Sequence, residues 1–478
     1  MTHQLTLEPS PPPWGAESRD TLRLATPLII AFAGNQLLGV VDTLIAGRMG
    51  TLALAAVGVG NVIFFAATIF SMGLISALET VASQAIGSRR PEKAFTGYKA
   101  TCVFCFISLI PVYLLLLWLG TAVLSLAGIS DEIQTAAQEY LLTRSLSVLP
   151  LFLHVAARTF LQTHRDTDAI LWSTVIGNIV NVPLSLILGF GDPFFGTLGL
   201  PPIGLNGGFG VAGLGLATTA VAILRFGILW GRIRVVAREY YRIKSQRDDL
   251  WQIMRLGWPL GVHWLLEVGV FVTVTIMVAS FGKVTAAGHQ IVLQLSTFTF
   301  CACLGISGAT CVRVGQAVGR QDQLGAVRAG WAGAWVSIVW MTGMALCFLV
   351  FPQYIVGLFT DEQAVFDVAV PLCHIVAVYQ ISDGIQATLA GALRGAGDTV
   401  SPMIAGLVGH WCVGFPFGYY LSFNLGYGAT GFWWGLTAGL TITAVCLTLR
   451  FRYISRHRFT SVNIAPTAED VDSACRPN

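Results

Sequence analysis

One register of similarity runs through the chain: residues 232 apart match across most of its length. Pro27 answers Pro259, and Gly50 answers Gly282. Gln84-Ala85-Ile86-Gly87 answers Gln316-Ala317-Val318-Gly319, Asp166-Thr167 answers Asp398-Thr399, and Gly177 answers Gly409. Beyond residue 190 the offset falls to 218, where Gly213 answers Gly431. The first copy therefore carries 14 extra residues, which fall within DPFFGTLGLPPIGLNGG. Such a chain folds as two related halves, and the medium in which they fold follows from composition.

Hydrophobic residues make up 54% and charged residues 11%, against about 25% charged in an ordinary soluble domain. Mean hydropathy is +0.69. Apolar stretches near or above the roughly 20 residues needed to cross hydrocarbon recur at 22–46, 54–80, 100–127, 141–161, 170–190, 210–231, 256–281, 285–312, 331–357, 366–391, 402–423 and 430–450. That predicts twelve spans, six per half. Lipid offers no hydrogen bonds, so each span must satisfy its own backbone. The runs are too long, and alternate too little, for barrel strands. The fold class expected is an all-α integral membrane protein: two homologous six-helix bundles.

Basic residues orient it. With the N-terminus in the cytoplasm, 24 of the 28 Lys and Arg residues fall on cytoplasmic segments, Arg158, Arg313 and Arg394 counted among them. The other face holds Arg48, Arg144 and Lys283, and Arg225 lies inside a span. The positive-inside rule then puts both termini in the cytoplasm. The net charge of +3 is topological and does not point to nucleic acid. No basic stretch leads into a cleavable signal, so the first span stays. The layout expected is a disordered N-terminus (1–20), a first lobe (21–231), a basic cytoplasmic linker (232–255), a second lobe (256–452) and a cytoplasmic tail (453–478). Cys102, Cys105, Cys301 and Cys303 lie in apolar runs and read as packing residues; Cys475 is a late free thiol in the tail.

Six spans return the chain to its starting side, so both halves enter the membrane in the same direction. They are then related by a pseudo-twofold axis along the membrane normal, with a cleft between them. Rocking of two such lobes suits transport, whereas a channel or a membrane enzyme needs no such duplication.

Carboxylates deep in a span are costly and face a cavity or a partner. Glu267 sits near the centre of span 7, Asp42 in span 1 and Asp383 in span 10. The plainer reading of each is a hydrogen bond between helices, and that reading is stronger still for Glu79 at the end of span 2. His263 precedes Glu267 by four residues and Tyr379 precedes Asp383 by four, so each pair shares a helical face. Asn35 precedes Asp42 by seven. In the repeat register Asn35 answers Glu267, and Asn178 answers His410. The halves thus place different polar chemistry at equivalent positions.

The chain resembles the multidrug and toxic compound extrusion family over essentially all of residues 20–450. The resemblance is carried by VDTLIAG ending at Gly47, ALETVASQAIG at 77–87, FLQTHRDT at 160–167, Glu267, GQAVGR at 315–320 and LAGALRGAGDT at 389–399. It implies export of lipophilic, mostly cationic drugs or toxic metabolites in exchange for Na⁺ or H⁺, with no cofactor. Glu267 and Asp383, with Tyr379 and His263, are then similar to the second-lobe cation site of the NorM-like branch, with Na⁺ a candidate at the two carboxylates. Asp42 resembles the first-lobe acid. The family has Asn or Asp four residues after a span-5 Asn, whereas here Asn181 is followed by Ser185. That departure moves the main coupling site to the second lobe, with Asn178 and Asn181 in a supporting first-lobe set.

Trp264 and Phe271, near the Glu267 face, are candidates for cation–π contact with a planar cation, although most aromatics here serve as anchors and packing. The remaining partners are membrane lipid and small molecules, and one chain contains both lobes, so a monomer suffices. Two alternatives remain. A flippase of lipid-linked envelope precursors, or a metabolite exporter of the same fold, would want a cationic cavity, whereas the span charges counted above are mostly acidic. An integral-membrane enzyme using His263, Glu267 or His410 would want clustered histidines, and the eight here are scattered.

Overall fold

A computed structural model describes residues 14–126, 130–197, 207–457 and 459. Cys475, most of the tail and the middle of the insertion lie outside them. Among the described residues the chain forms helices and turns without strands. Eleven helices are long and apolar enough to cross a membrane, and one bent pair makes a twelfth. This is a multi-pass membrane protein of two six-span lobes.

Spans 1 to 6 are Trp14–Met49, Thr51–Gly87, Pro91–Ile107 with Leu109–Leu126, Asp131–Ser145 with Val148–Thr163, Thr167–Phe190 and Gly210–Val236. Spans 7 to 12 are Arg247–Ala279, Lys283–Gly319, Gln323–Val350, Gln363–Gly395, Val400–Asn424 and Gly428–Arg456. Span 2 breaks at Ser76, and the halves of span 4 meet at 47°. The described chain is helical from Trp14, within the stretch 1–20 read from sequence as disordered, and Glu17 is buried against Arg313 of span 8. Pro27 and Pro259 sit inside spans 1 and 7, where each removes one ladder bond. Cys102, Cys105, Cys301 and Cys303 are unpaired thiols within spans.

The repeat is visible bond by bond. Gly50 and Gly282 open spans 2 and 8 with φ of 123° and 108°, a region L side chains avoid. Four loops close on the same motif, in which a left-handed residue follows the helix end. Arg90 N–H donates to Ala85 O, Asp166 N–H to Leu161 O, Asp322 N–H to Ala317 O and Asp398 N–H to Leu393 O. The left-handed residues are Arg89, Arg165, Gln321 and Gly397. Asp166 pairs with Arg232 at 2.5 Å, and Asp398 with Arg450 at 2.8 Å, which is one contact made twice with the two offsets found in the sequence.

The lobes meet near this loop-bearing end. Gly73 of span 2 lies so close to span 7 that a Cβ would stand 2.7 Å from Gly261 Cα. The equivalent Gly305 of span 8 meets span 1, where a Cβ would stand 2.8 Å from Ile29 N. Gln84 Nε2 donates to Gly395 O at 2.9 Å, and Gln316 Nε2 to Thr163 O at 2.9 Å. Each lobe thus makes the same contact to the other, as a twofold relation requires. Arg165 adds a bond to Gln316 Oε1 at 2.9 Å. Span 11 contains π-helical turns at Leu407–Gly414 and Tyr420–Asn424. Its Gly414 and Gly418 let it lie directly on Gly439 and Gly435 of span 12, the small-residue packing that membranes favour.

Gly73→Val should force spans 2 and 7 apart and destabilise the protein by about 1–3 kcal/mol, the usual range for overpacking. Gly58→Ala, where a Cβ meets nothing within 4 Å, should change little. Thermal unfolding followed by size-exclusion fluorescence compares the two; equal midpoints would remove the contact's importance.

Candidate functional site

Span 7 carries His263, Trp264 and Glu267 on successive turns. His263 Nε2 stands 3.7 Å from Glu267 Oε2, and Gln386 of span 10 donates to Glu267 Oε1 at 3.4 Å. Asp383, one turn before Gln386 on the same helix, is buried. Tyr379 is buried one turn further along, edge-on to the Phe271 ring at 6.5 Å and to Trp433 at 5.8 Å. His410, on the π-helical part of span 11, is buried beside His263, and neither of its ring nitrogens has a partner. Of the second-lobe residues expected from sequence, His263 and Glu267 pair on span 7 with Gln386 added, and Tyr379 packs against Phe271.

Asp42 lies in the first lobe and is held there. Asn181 of span 5 donates to Oδ1 at 2.7 Å, and Thr218 of span 6 to Oδ2 at 3.1 Å. Asn181, which opens the departure from the family spacing, is thus an Asp42 ligand, and Ser185 stands near the same carboxylate. Asn35 and Asn178 form a separate group: Asn35 Oδ1 accepts from Arg225 at 2.6 Å, and Asn178 Nδ2 donates to Gly34 O at 3.0 Å.

A cavity of about 90 Å³ lies between the lobes. Glu267, His263 and Trp264 line it from the second lobe, and Phe32, Glu79 and Arg158 from the first. Arg394 reaches it from span 10. Gln162 donates to Glu79 Oε1 at 2.5 Å, and Arg394 approaches Glu79 Oε2 at 3.8 Å across the lobe boundary. Two statements made from sequence change here. Arg158 and Arg394, counted above with the cytoplasmic segments, line the cavity: Arg158 lies within span 4, and span 10 stays helical past Arg394 to Gly395. Arg225 is accordingly not alone within the spans, and the argument that intramembrane charge is mostly acidic does not hold at the cavity. The signal was present: Gln162 and Arg394 are 232 apart.

Two six-span lobes enclosing a polar, charged cavity define a polytopic membrane transporter. The family model described as MatE matches residues 27–187 and again 259–420, once in each lobe and in the 232-residue register. The chain belongs to that family, the multidrug and toxic compound extrusion transporters. It is 31% identical to a probable multidrug resistance protein NorM of Xylella fastidiosa over 467 residues, 94% of each chain. It is 31% identical to the multidrug resistance protein NorM of Burkholderia vietnamiensis over 92% of this chain and 95% of that one. The fold matches the crystal structure of the eukaryotic MATE transporter AtDTX14 with a TM-score of 0.80 at 21% identity, covering 94% of this chain and all of that one. It also matches the D35N mutant of the Vibrio cholerae MATE transporter VcmN, with a TM-score of 0.82 at 18% identity, covering 93% and 98%.

Asn181→Ala should leave Asp42 Oδ1 without its donor in a buried setting, a loss of about 1–3 kcal/mol. The thermal midpoint should fall more for this variant than for Asn178→Ala, whose bond goes to a backbone carbonyl. Equal shifts would show that Asp42 does not depend on Asn181.

Proposed function

We propose that the chain exports lipophilic organic cations by antiport with Na⁺ or H⁺, through alternating access of the two lobes. The observation carrying this is the placement of Glu267 on the inter-lobe cavity with Asp383 behind it on a facing helix. Two carboxylates sharing one site bind a small cation or a proton readily and repel each other when empty. Glu267, Asp383 and the Tyr379 hydroxyl supply oxygens of the kind a hard cation prefers. A cationic substrate entering the same cavity competes for the same negative charge, so ion and substrate exchange. Asp42 supports from the first lobe, and Trp264 and Phe271 offer ring faces.

In this reading both termini are cytoplasmic in the inner membrane, and one chain is the working unit. The lobes are then closed at their cytoplasmic end, where Gln84, Arg165 and Gln316 bridge them. The membrane potential supplies about 2.3 kcal/mol per charge per 100 mV, and a tenfold ion gradient about 1.4 more. For a neutral substrate exchanged one for one, the two add. For a monovalent cation the electrical part cancels.

In liposomes loaded with a fluorescent lipophilic cation, either a Na⁺ or a pH gradient should drive movement of the dye. Glu267→Gln should abolish driven movement, Asp383→Asn should cut it about tenfold or more, and Asp42→Asn should cut it less. These correspond to losing a charge-assisted contact worth about 1.5–3 kcal/mol at the main site and a supporting one elsewhere. Wild-type rates in the Glu267 variant would move the coupling site elsewhere. Dye movement under neither gradient would end the cation-export reading.

A further inference from the structure

We propose that a groove on the outer side of spans 1 and 9, near the start of each, is a binding site for one anionic phospholipid. The occupant is a resident lipid and not cargo: the groove shares no lining residue with the cavity that holds Glu267.

The groove has a volume of about 470 Å³ and is lined by Gly15 and Ser18 of span 1 and by Trp331 and Trp335 of span 9. That exceeds the roughly 300 Å³ at which sites for small molecules begin. Residue size explains its shape. At Gly15 a Cβ would meet nothing within 4 Å, so the helix surface there faces open space. Trp331 and Trp335 stand one turn apart and share a helical face, and Trp335 is 62% exposed. Leu22, one turn beyond Ser18, is exposed as well. Indoles with one apolar and one polar edge belong at the boundary between acyl chains and headgroups. Span 1 is part of the first lobe and span 9 of the second, so one molecule seated here touches both.

Charge selects the lipid. The acids of these two helix ends are already engaged. Glu17 is buried against Arg313 at 2.5 Å, and Asp20 reaches the same guanidinium at 3.3 Å. Asp322 caps span 9 by accepting from Gly325 N–H at 2.7 Å. Arg19, one turn after Gly15, and Arg23, one turn further, are exposed, and among the described residues neither has a hydrogen-bond or ion-pair partner. Arg328, one turn before Trp331, adds positive charge from span 9. Long arginine stems lie along apolar surface and carry the guanidinium to headgroup level, where it matches the oxygens of a phosphate. A zwitterionic lipid brings a cation beside its phosphate, and the carboxylates that could receive that cation are taken. An anionic lipid brings none.

The test is native mass spectrometry of the purified full-length protein, titrated with phosphatidylglycerol or phosphatidylcholine of identical chains and read as the dissociation constant of the first lipid bound. Wild type should hold phosphatidylglycerol about tenfold more tightly. Arg19→Gln combined with Arg23→Gln should erase that preference. Arg452→Gln combined with Arg456→Gln, at the basic end of span 12, should leave it intact. Gly15→Phe should fill the groove and weaken both lipids. Trp335→Ala should weaken both as well, and it decides if Gly15→Phe does not fold. Equal affinities in wild type overturn the site. A preference lost as fully in the span-12 pair as in the span-1 pair overturns it in favour of general attraction to a basic surface. Lipid binding unchanged in both groove variants overturns it too. A wild-type dimer that excludes lipid gives the groove to a second chain instead. None of these outcomes bears on cation export, which the liposome assay tests separately.

Discussion

Close approach of backbone to backbone where the lobes cross is the contact on which the rest of the arrangement depends. Inside a bilayer no hydrophobic force draws helices together, because lipid tails are as apolar as leucine. Association must come from short-range packing, which falls away within a fraction of an ångström. Gly73 of span 2 against span 7, and Gly305 of span 8 against span 1, provide that packing at symmetric places. Once the backbones are in contact, the side chains of Gln84 and Gln316 reach carbonyls of the opposite lobe. A polar cavity can then exist behind them, sealed at one end.

The scaffold is symmetric, but its chemistry is not. At offsets of 232 and, beyond the insertion, 218, nearly every charged group of the site answers a neutral one. Glu267 answers Asn35, Asp383 answers Leu151, Arg158 answers Ala390, Arg394 answers Gln162, and Arg225 answers Thr443. Asp42 answers Val274, and Glu79 answers Cys311. Equal charges at equivalent places would face each other near the axis and repel in a medium of low dielectric. Placing a charge in one copy and a neutral residue in the other keeps the duplicated backbone and removes that repulsion.

The fold was legible from sequence because its determinants are local and repeated. Apolar length marks the spans, and Gly50 with Gly282 marks two span starts through their backbone angles. Asp166 with Asp398 marks two loops. The second-lobe acids were legible because a carboxylate in the middle of an apolar run has few explanations. Arg394 was missed because the apolar run of span 10 stops at 391, and Arg158, although inside the run 141–161, was counted with the cytoplasmic segments. A helix ends instead where its C-terminal cap forms, here at Arg165 and Gly397. Glu79 was read as a structural residue near the surface, and the structure puts it on the cavity. Only three-dimensional closeness to Arg394, 315 positions away, shows that the two form one group.

That group ties lobe closure to cavity charge. Glu79 and Arg394 belong to different lobes, so any rocking that opens this end must separate them. In hydrocarbon such a separation would strand two charges, whereas water entering from the opened end replaces each partner with solvent.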